Sequence, residues 1–145
     1  MKIVAFCCNW CSYAGADLAG TSRLQYPADV KIIRVPCSCR VDPAFVLRAF
    51  GRGADGVIVC GCHPNDCHYE TGNFFARRRF TLFFRMLEFL GIERGRVHLE
   101  WVSAAEGAKF SSVMTKFVEQ VAALGENQRL ADWRVAKDGF IDDSK

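Results

Sequence analysis

Histidine is scarce in this chain, with three in 145 residues, and no segment approaches the roughly 20 consecutive apolar residues that a membrane span needs. The opening "MKIVAFCCNW" has an apolar stretch too short for a signal-peptide core and no small-residue cleavage site after it. A cytoplasmic protein without a membrane partner is therefore expected. The formal net charge is only +3, and the basic residues are scattered apart from the run "ARRRF", so a nucleic-acid partner is not expected. There is no internal repeat and no low-complexity segment. Nor is there a glycine-rich phosphate loop, a nucleophile beside a base, or a pair of catalytic carboxylates. From these absences no substrate chemistry is expected of this chain by itself.

Cysteine is abundant instead. Eight cysteines fall in three places, "CCNWC" (Cys7, Cys8, Cys11), "CSC" (Cys37, Cys39) and "CGCHPNDCHY" (Cys60, Cys62, Cys67), each just past a short apolar run. Half of the residues are hydrophobic, enough for one ordinary core without disulfide staples. In a reducing compartment, dense cysteine then means metal, cluster or redox chemistry.

Strand and helix patterns alternate along the chain. "KIVAF" (2–6), "VKIIRV" (30–35) and "GVIVC" (56–60) are short, β-branched and apolar on both faces, as buried parallel strands are. "VHLEWV" (97–102) alternates with His98 and Glu100 and suits a strand nearer an edge. Asp42 before Pro43 reads as a helix start, and Ser103 with Glu106 as a capping box. A helix from about 73 to 90 should bury Phe80, Phe83, Phe84, Leu87 and Leu90; the one after Ser103 carries a core stripe from Phe110 to Leu124. These elements predict an α/β fold: a compact doubly wound parallel sheet of four strands, flavodoxin-like, in the order 2-1-3-4, with helices on both faces. Residues 1–125 form a single domain, and 126–145 a C-terminal tail that is either an interface segment or a loose end. In such a sheet ligands sit beyond the carboxyl ends of the strands where the order reverses, which is where all three cysteine groups lie.

Cys7 and Cys60 sit within the last strand residues and read as core cysteines. Cys8 and Cys11 have C-x-x-C spacing at a strand-to-helix turn, where a helix start favours negative sulfur. Cys62 and Cys67 make a looser bite, and Cys37 completes five candidate ligands, with Cys39 as a bystander. A thioredoxin-like dithiol would use only one pair. A Rieske centre needs one Cys-His pair on each of two loops, so His63 and His68 read as hydrogen-bonding or surface residues. A zinc-stabilised module and an iron-sulfur protein both fit, and spacing does not separate them.

The strings "CNWCSYAGAD", "IRVPCS" with "RVDPAFVLRAF", "GADGVIVCGCHPNDCHY", "GNFFARRR" and "LEWVSAAEGAKF" agree in order and spacing with one family. From about residue 3 to residue 120 the chain resembles the delta subunit of methyl-viologen-reducing hydrogenase. The resemblance implies a protein with one [2Fe-2S] cluster, a component of a larger oxidoreductase of the kind used in methanogenesis. It would carry electrons between an NiFe-hydrogenase, or a formate dehydrogenase, and the flavin-bearing subunit of heterodisulfide reductase. Cys8, Cys11, Cys37, Cys62 and Cys67 match the family's cysteines; Cys39 stands where a glycine is usual.

With a [2Fe-2S] centre in view, Cys8 with Cys11 and Cys62 with Cys67 are the expected quartet, and Cys37 is a reserve ligand or near neighbour. Gly15 and Gly61 should offer N–H groups to sulfur, with His63 close by. Trp10 should stand at the rim as a shield or a packing residue. Arg77, Arg78 and Arg79 follow the Cys62–Cys67 loop and are expected to dock a neighbouring protein.

Overall fold

The computed structural model describes the backbone of residues 1–141 and the side-chain surroundings of residues 1–136. Four strands, β1 (Ile3–Cys8), β2 (Val30–Val35), β3 (Gly56–Gly61) and β4 (Val97–Trp101), form one parallel sheet in the order β2-β1-β3-β4. This is the predicted α/β architecture and the predicted strand order. β1 and β3 lie in the middle, and every residue of both is buried, as their two-faced apolar sequences require.

β2 departs from expectation. Val30 and Val35 are buried, but Lys31, Ile33 and Arg34 are exposed. Its β-branched sequence looks like that of a central strand, yet it is paired on one side only. Exposure here follows from position in the sheet, which local composition does not encode.

Helices α1 (Ser12–Thr21) and α4 (Gly107–Leu124) cover one face, packing around Ile3, Ala5, Ile58 and Phe110. Helices α2 (Pro43–Gly51) and α3 (Gly72–Phe89) cover the other, around Val4, Phe6, Val57, Val59 and Phe80. Full burial of a side chain such as Phe80 or Phe110 contributes about 1.5–3 kcal/mol each. Asp42 caps α2 as predicted, its carboxylate accepting the Ala44 N–H at 2.8 Å. At α4 half of the expected box forms: the Glu106 carboxylate accepts the Ser103 N–H at 2.8 Å. The helix itself starts only at Gly107, because the chain turns first, with the Glu106 N–H on the Ser103 carbonyl.

On α3, Phe80, Phe83 and Leu87 are buried and Phe84 partly so. Leu90 is exposed, against expectation. The helix stops at Phe89 and the chain turns through Gly91 at φ 76°, so Ile92 takes the core position and donates its N–H to the Leu87 carbonyl. The outer side of α3 carries Phe75, Leu82, Met86 and Phe89, all exposed.

Residues 126–145, set apart as a tail in the sequence, begin with a further helix, α5 (Gln128–Ile141). Asn127 starts it, its side-chain oxygen accepting the Leu130 N–H at 2.8 Å. Leu130 joins the core beside α2, and the Arg134 guanidinium donates to the carbonyls of Phe50 and Ala54 at 3.0 and 2.6 Å. Residues 142–145 lie outside the described residues.

At the amino-terminal end of the sheet Arg96 is almost wholly buried, just before β4. Its guanidinium donates to the Glu93 carboxylate at 2.7 Å and to the carbonyls of Asp55 and Gly125 at 3.2 and 2.5 Å. Among the described residues no helix is long and apolar enough to cross a membrane.

Candidate metal centre

At the opposite end of the sheet the three cysteine groups converge. Cys8 is the last residue of β1 and Cys11 immediately precedes α1; Cys37 follows β2 by one residue; Cys62 directly follows β3; and Cys67 lies in the loop before α3. Cys8, Cys11, Cys37, Cys62 and Cys67 form one buried cluster, with Cys39 packed against it half-buried. All eight cysteines are free thiols. Cys7 and Cys60 are fully buried in the α1/α4 core, as predicted for side chains still fixed in the pleat.

Within the cluster the sulfurs fall into two groups. Those of Cys8, Cys11 and Cys62 lie within 4.8 Å of one another, with Cys8 and Cys62 at 3.8 Å. Cys37, Cys67 and Cys39 gather around the first residue of α3. A Cβ on Gly72 would stand 2.5, 3.1 and 3.5 Å from the sulfurs of Cys37, Cys67 and Cys39, so only glycine lets the helix start there. The reserve cysteine and the supposed bystander thus accompany Cys67, while Cys62 stands with the C-x-x-C pair.

The thiols perturb one another strongly. The Cys11 thiol, hydrogen-bonding to Cys8, holds the Cys8 thiol down at about 6 against the effect of burial, while Cys11, as that donor, is pushed far up. Burial raises Cys62, and raises Cys37 to about 12. One sulfur ionises easily and its neighbours then resist. A bound cation removes that resistance, since coordination keeps several thiolates deprotonated side by side.

The surrounding residues have defined places. Trp10 is half-exposed at the rim, stacked on His68 at 3.7 Å between ring centroids, and its indole N–H donates to the Tyr69 hydroxyl at 3.2 Å. It therefore ties the Cys8–Cys11 turn to the loop after Cys67. His63 Nε2 lies 2.7 Å from the Glu106 carboxylate, which the Ser103 N–H and then His63 hold down at about 2. Gly15 does not offer its N–H to sulfur: that group donates to the Cys11 carbonyl at 2.9 Å, because α1 has already begun. What Gly15 supplies is closeness, since a Cβ there would lie 2.7 Å from the Ser103 carbonyl oxygen. Gly61 likewise makes room, for Ser38 and the Trp101 ring, at 2.7 and 2.9 Å from where its Cβ would be.

Of the arginine run, Arg77 and Arg78 are exposed, with the Arg78 guanidinium over the Phe75 ring. Arg79 turns inward and donates to the carbonyls of Cys39 and Val41 at 2.5 and 3.1 Å. It follows Ala76 by three and precedes Phe83 by four, both buried, so helical geometry places it on the packed side. Arg79 therefore fixes the Cys37–Cys39 segment. Asn73, also buried, donates from its amide to the carbonyls of Cys62 and His63 at 3.1 and 2.6 Å and fixes the other loop. Neither role was visible in the sequence, because each joins residues at least ten positions apart.

A sequence model described as methyl-viologen-reducing hydrogenase, delta subunit, matches residues 3–125. The chain is 54% identical over 124 residues to the iron-sulfur subunit of the F420-non-reducing hydrogenase vhc of Methanococcus voltae, covering 86% of each. Over 124 residues it is 55% identical to the iron-sulfur subunit of the F420-non-reducing hydrogenase of Archaeoglobus profundus, covering 86% of this chain and 90% of that one. It is also 47% identical over 123 residues to one subunit of the ferredoxin:CoB-CoM heterodisulfide reductase of Methanosarcina mazei, where the match takes 85% of this chain but 16% of the relative. With the five cysteines gathered at one sheet edge and the match running through β1 to α4, the chain belongs to the methyl-viologen-reducing hydrogenase delta subunit family.

Proposed function

We propose that this chain holds one [2Fe-2S] cluster on cysteine thiolates and serves as an electron relay in an oxidoreductase assembly. Its neighbours in that reading are an NiFe-hydrogenase, or a formate dehydrogenase, and the flavin-bearing subunit of heterodisulfide reductase. The observation that carries the proposal is the convergence of five buried cysteines from three separate strand ends. Two relatives are named iron-sulfur subunits of hydrogenases, and in a third the matching stretch is part of a longer heterodisulfide reductase polypeptide, which supports a partner of that kind.

The donor set fits the group: sulfur is the preferred partner of iron in such centres, and more thiols are present than four-fold ligation needs. Cys8, Cys11, Cys62 and Cys67 are the proposed ligands, with Cys37 beside them. When bound, such a cluster supplies a one-electron couple. The chain's own residues do the rest. Strand ends and the helix starts at Ser12 and Gly72 fix the sulfurs, and Asn73 and Arg79 tie down the loops that bear them. Little ligand movement keeps the cost of changing oxidation state low. The exposed side of α3 next to this edge, with Arg77, Arg78 and Phe75, is the proposed docking face.

Iron and acid-labile sulfide analysis of anaerobically purified protein, together with its visible spectrum, tests the cofactor. Two irons and two sulfides per chain are expected; stoichiometric zinc with no visible absorption would overturn the reading in favour of a zinc-stabilised module. Arg77→Ala with Arg78→Ala should weaken assembly with the partner subunits while leaving iron content unchanged, and unchanged assembly would reduce the patch to a solubilising one.

A further inference from the structure

Ser38 lies between Cys37 and Cys39 at the start of a single 3-10 turn, Ser38–Arg40, and is 1% exposed. Its hydroxyl oxygen is the one buried side-chain nitrogen or oxygen without a hydrogen-bond partner among the described residues. Buried hydroxyls are nearly always bonded, because desolvating one without a partner costs free energy. Elsewhere this chain follows that rule closely: Ser12, equally buried at the same sheet edge, donates to the Cys60 carbonyl at 2.7 Å.

The position of the hydroxyl is specified from the other side. It occupies the space that Gly61 leaves, 2.7 Å from where a Cβ on Gly61 would be. Cys7 of β1 pairs with Cys60 of β3, so the next positions, Cys8 and Gly61, sit side by side in the pleat on the face shared with Phe6 and Val59. Gly61 is in turn followed by Cys62. The orphaned hydroxyl therefore lies against the end of β3 next to the Cys8 position of β1, on a residue whose two chain neighbours, Cys37 and Cys39, belong to the cysteine cluster, with the Trp101 ring in the same gap.

We propose that the Ser38 hydroxyl donates a hydrogen bond to a sulfur of the bound iron-sulfur group and raises its reduction potential. This rests on the cofactor reading given above. A donor stabilises the more negative, reduced state more than the oxidised one, and hydrogen bonds to sulfur are among the factors that set the potentials of these centres. No bond breaks and no proton moves. The hydroxyl keeps its hydrogen in both states, and the single electron comes from a redox centre of a neighbouring protein or, in the test, from dithionite. Cys37 and Cys39 would then flank a potential-setting residue, with Arg79 holding the turn in register.

The test is a redox titration of the purified, iron-loaded full chain, followed by electron paramagnetic resonance, for wild type, Ser38→Ala and Ser38→Gly. Iron and sulfide are measured on each sample. Both variants should retain iron and sulfide at the wild-type ratio. At a fixed applied potential the ratio of reduced to oxidised protein should fall about tenfold, about 59 mV for a one-electron couple. A potential unchanged or raised in variants that retain their iron would overturn the Ser38 assignment alone, leaving the hydroxyl to an isolated buried water. Wild-type protein without iron would overturn the cofactor reading and this one with it. Ser38→Gly gives the comparison should Ser38→Ala fold poorly, since it removes the same hydroxyl with less bulk.

Discussion

The two ends of the sheet solve the problem of buried polarity differently. At the amino-terminal end Arg96 is almost wholly buried, and Glu93, Asp55 and Gly125 supply its guanidinium with acceptors. Asn127 adds its amide to the Gly91 carbonyl at 3.1 Å and to Glu93, so the start of α5 is locked to the same node. At the carboxyl-terminal end six thiols crowd together, ionisation of one raises the cost of the next, and the Ser38 hydroxyl finds no hydrogen-bond partner among the described residues. The first end is complete within the polypeptide. The second leaves a buried hydroxyl without a partner of its own, in keeping with the proposed cofactor, and this contrast separates a structural ion pair from a candidate ligand site better than burial does.

The contrast is broken most directly at the cysteine end. Changing Cys8, Cys11, Cys62 or Cys67 to Ser should remove most of the iron, because oxygen matches iron in these centres less well than thiolate. Cys37→Ser should retain it; a colourless Cys37→Ser protein beside a normal spectrum for one of the four would show a different quartet. At the other end, Arg96→Met should leave iron content unchanged but lower stability by about 3 kcal/mol in chemical denaturation, since Glu93 and two carbonyls lose their donor. Leu130→Ala should cost about 2–4 kcal/mol in the same measurement, because Leu130 is part of the core; a negligible loss would show α5 to be merely attached.

The smallest effect sharpens the comparison through pH. Burial tends to raise the Glu93 carboxyl, but Arg96, the local backbone and Asn127 outweigh it and hold the group below its ordinary 4.5. A depressed folded-state value means stability that is present above the ordinary value and lost as pH falls through the folded one. Glu93 is partly exposed, so Glu93→Gln should cost under about 1 kcal/mol at neutral pH. The gap from wild type should close as pH drops below 4.5. A gap that persists in acid would assign the effect to packing.

Much of this was legible locally. Apolar runs bounded by turn residues marked all four strands, and the convergence of the cysteines followed from a parallel sheet whose first strand lies between the second and third. Asp42 announced its helix, and Asn127 could have announced α5 by the same rule, since it caps with its side chain. Phe75, Leu82, Met86 and Phe89 also recur at helical spacing, but that spacing does not say that they lie exposed. What stayed hidden was non-local. Ile33 is exposed because β2 has one neighbour, Arg79 turns inward to meet carbonyls 38 and 40 residues away, and Ser38 matters because Gly61 leaves it space.

Parallel pairing also imposes an order in time. β1 is synthesised first, but both of its neighbours in the sheet, β2 and β3, emerge later, and each crossover must close a loop before its ladder can form. Cys8 and Cys11 therefore leave the ribosome with no thiol near them except Cys7, which is destined for the core. The proposed set of ligands is complete only once Cys67 has been made, and its walls only once α3 has docked on the sheet. During that interval the earlier thiols are open to stray metals and oxidants. Assembly of the proposed centre would in this sense be a late folding event, its yield in the cell set by how fast β3 joins β1 as much as by the supply of iron.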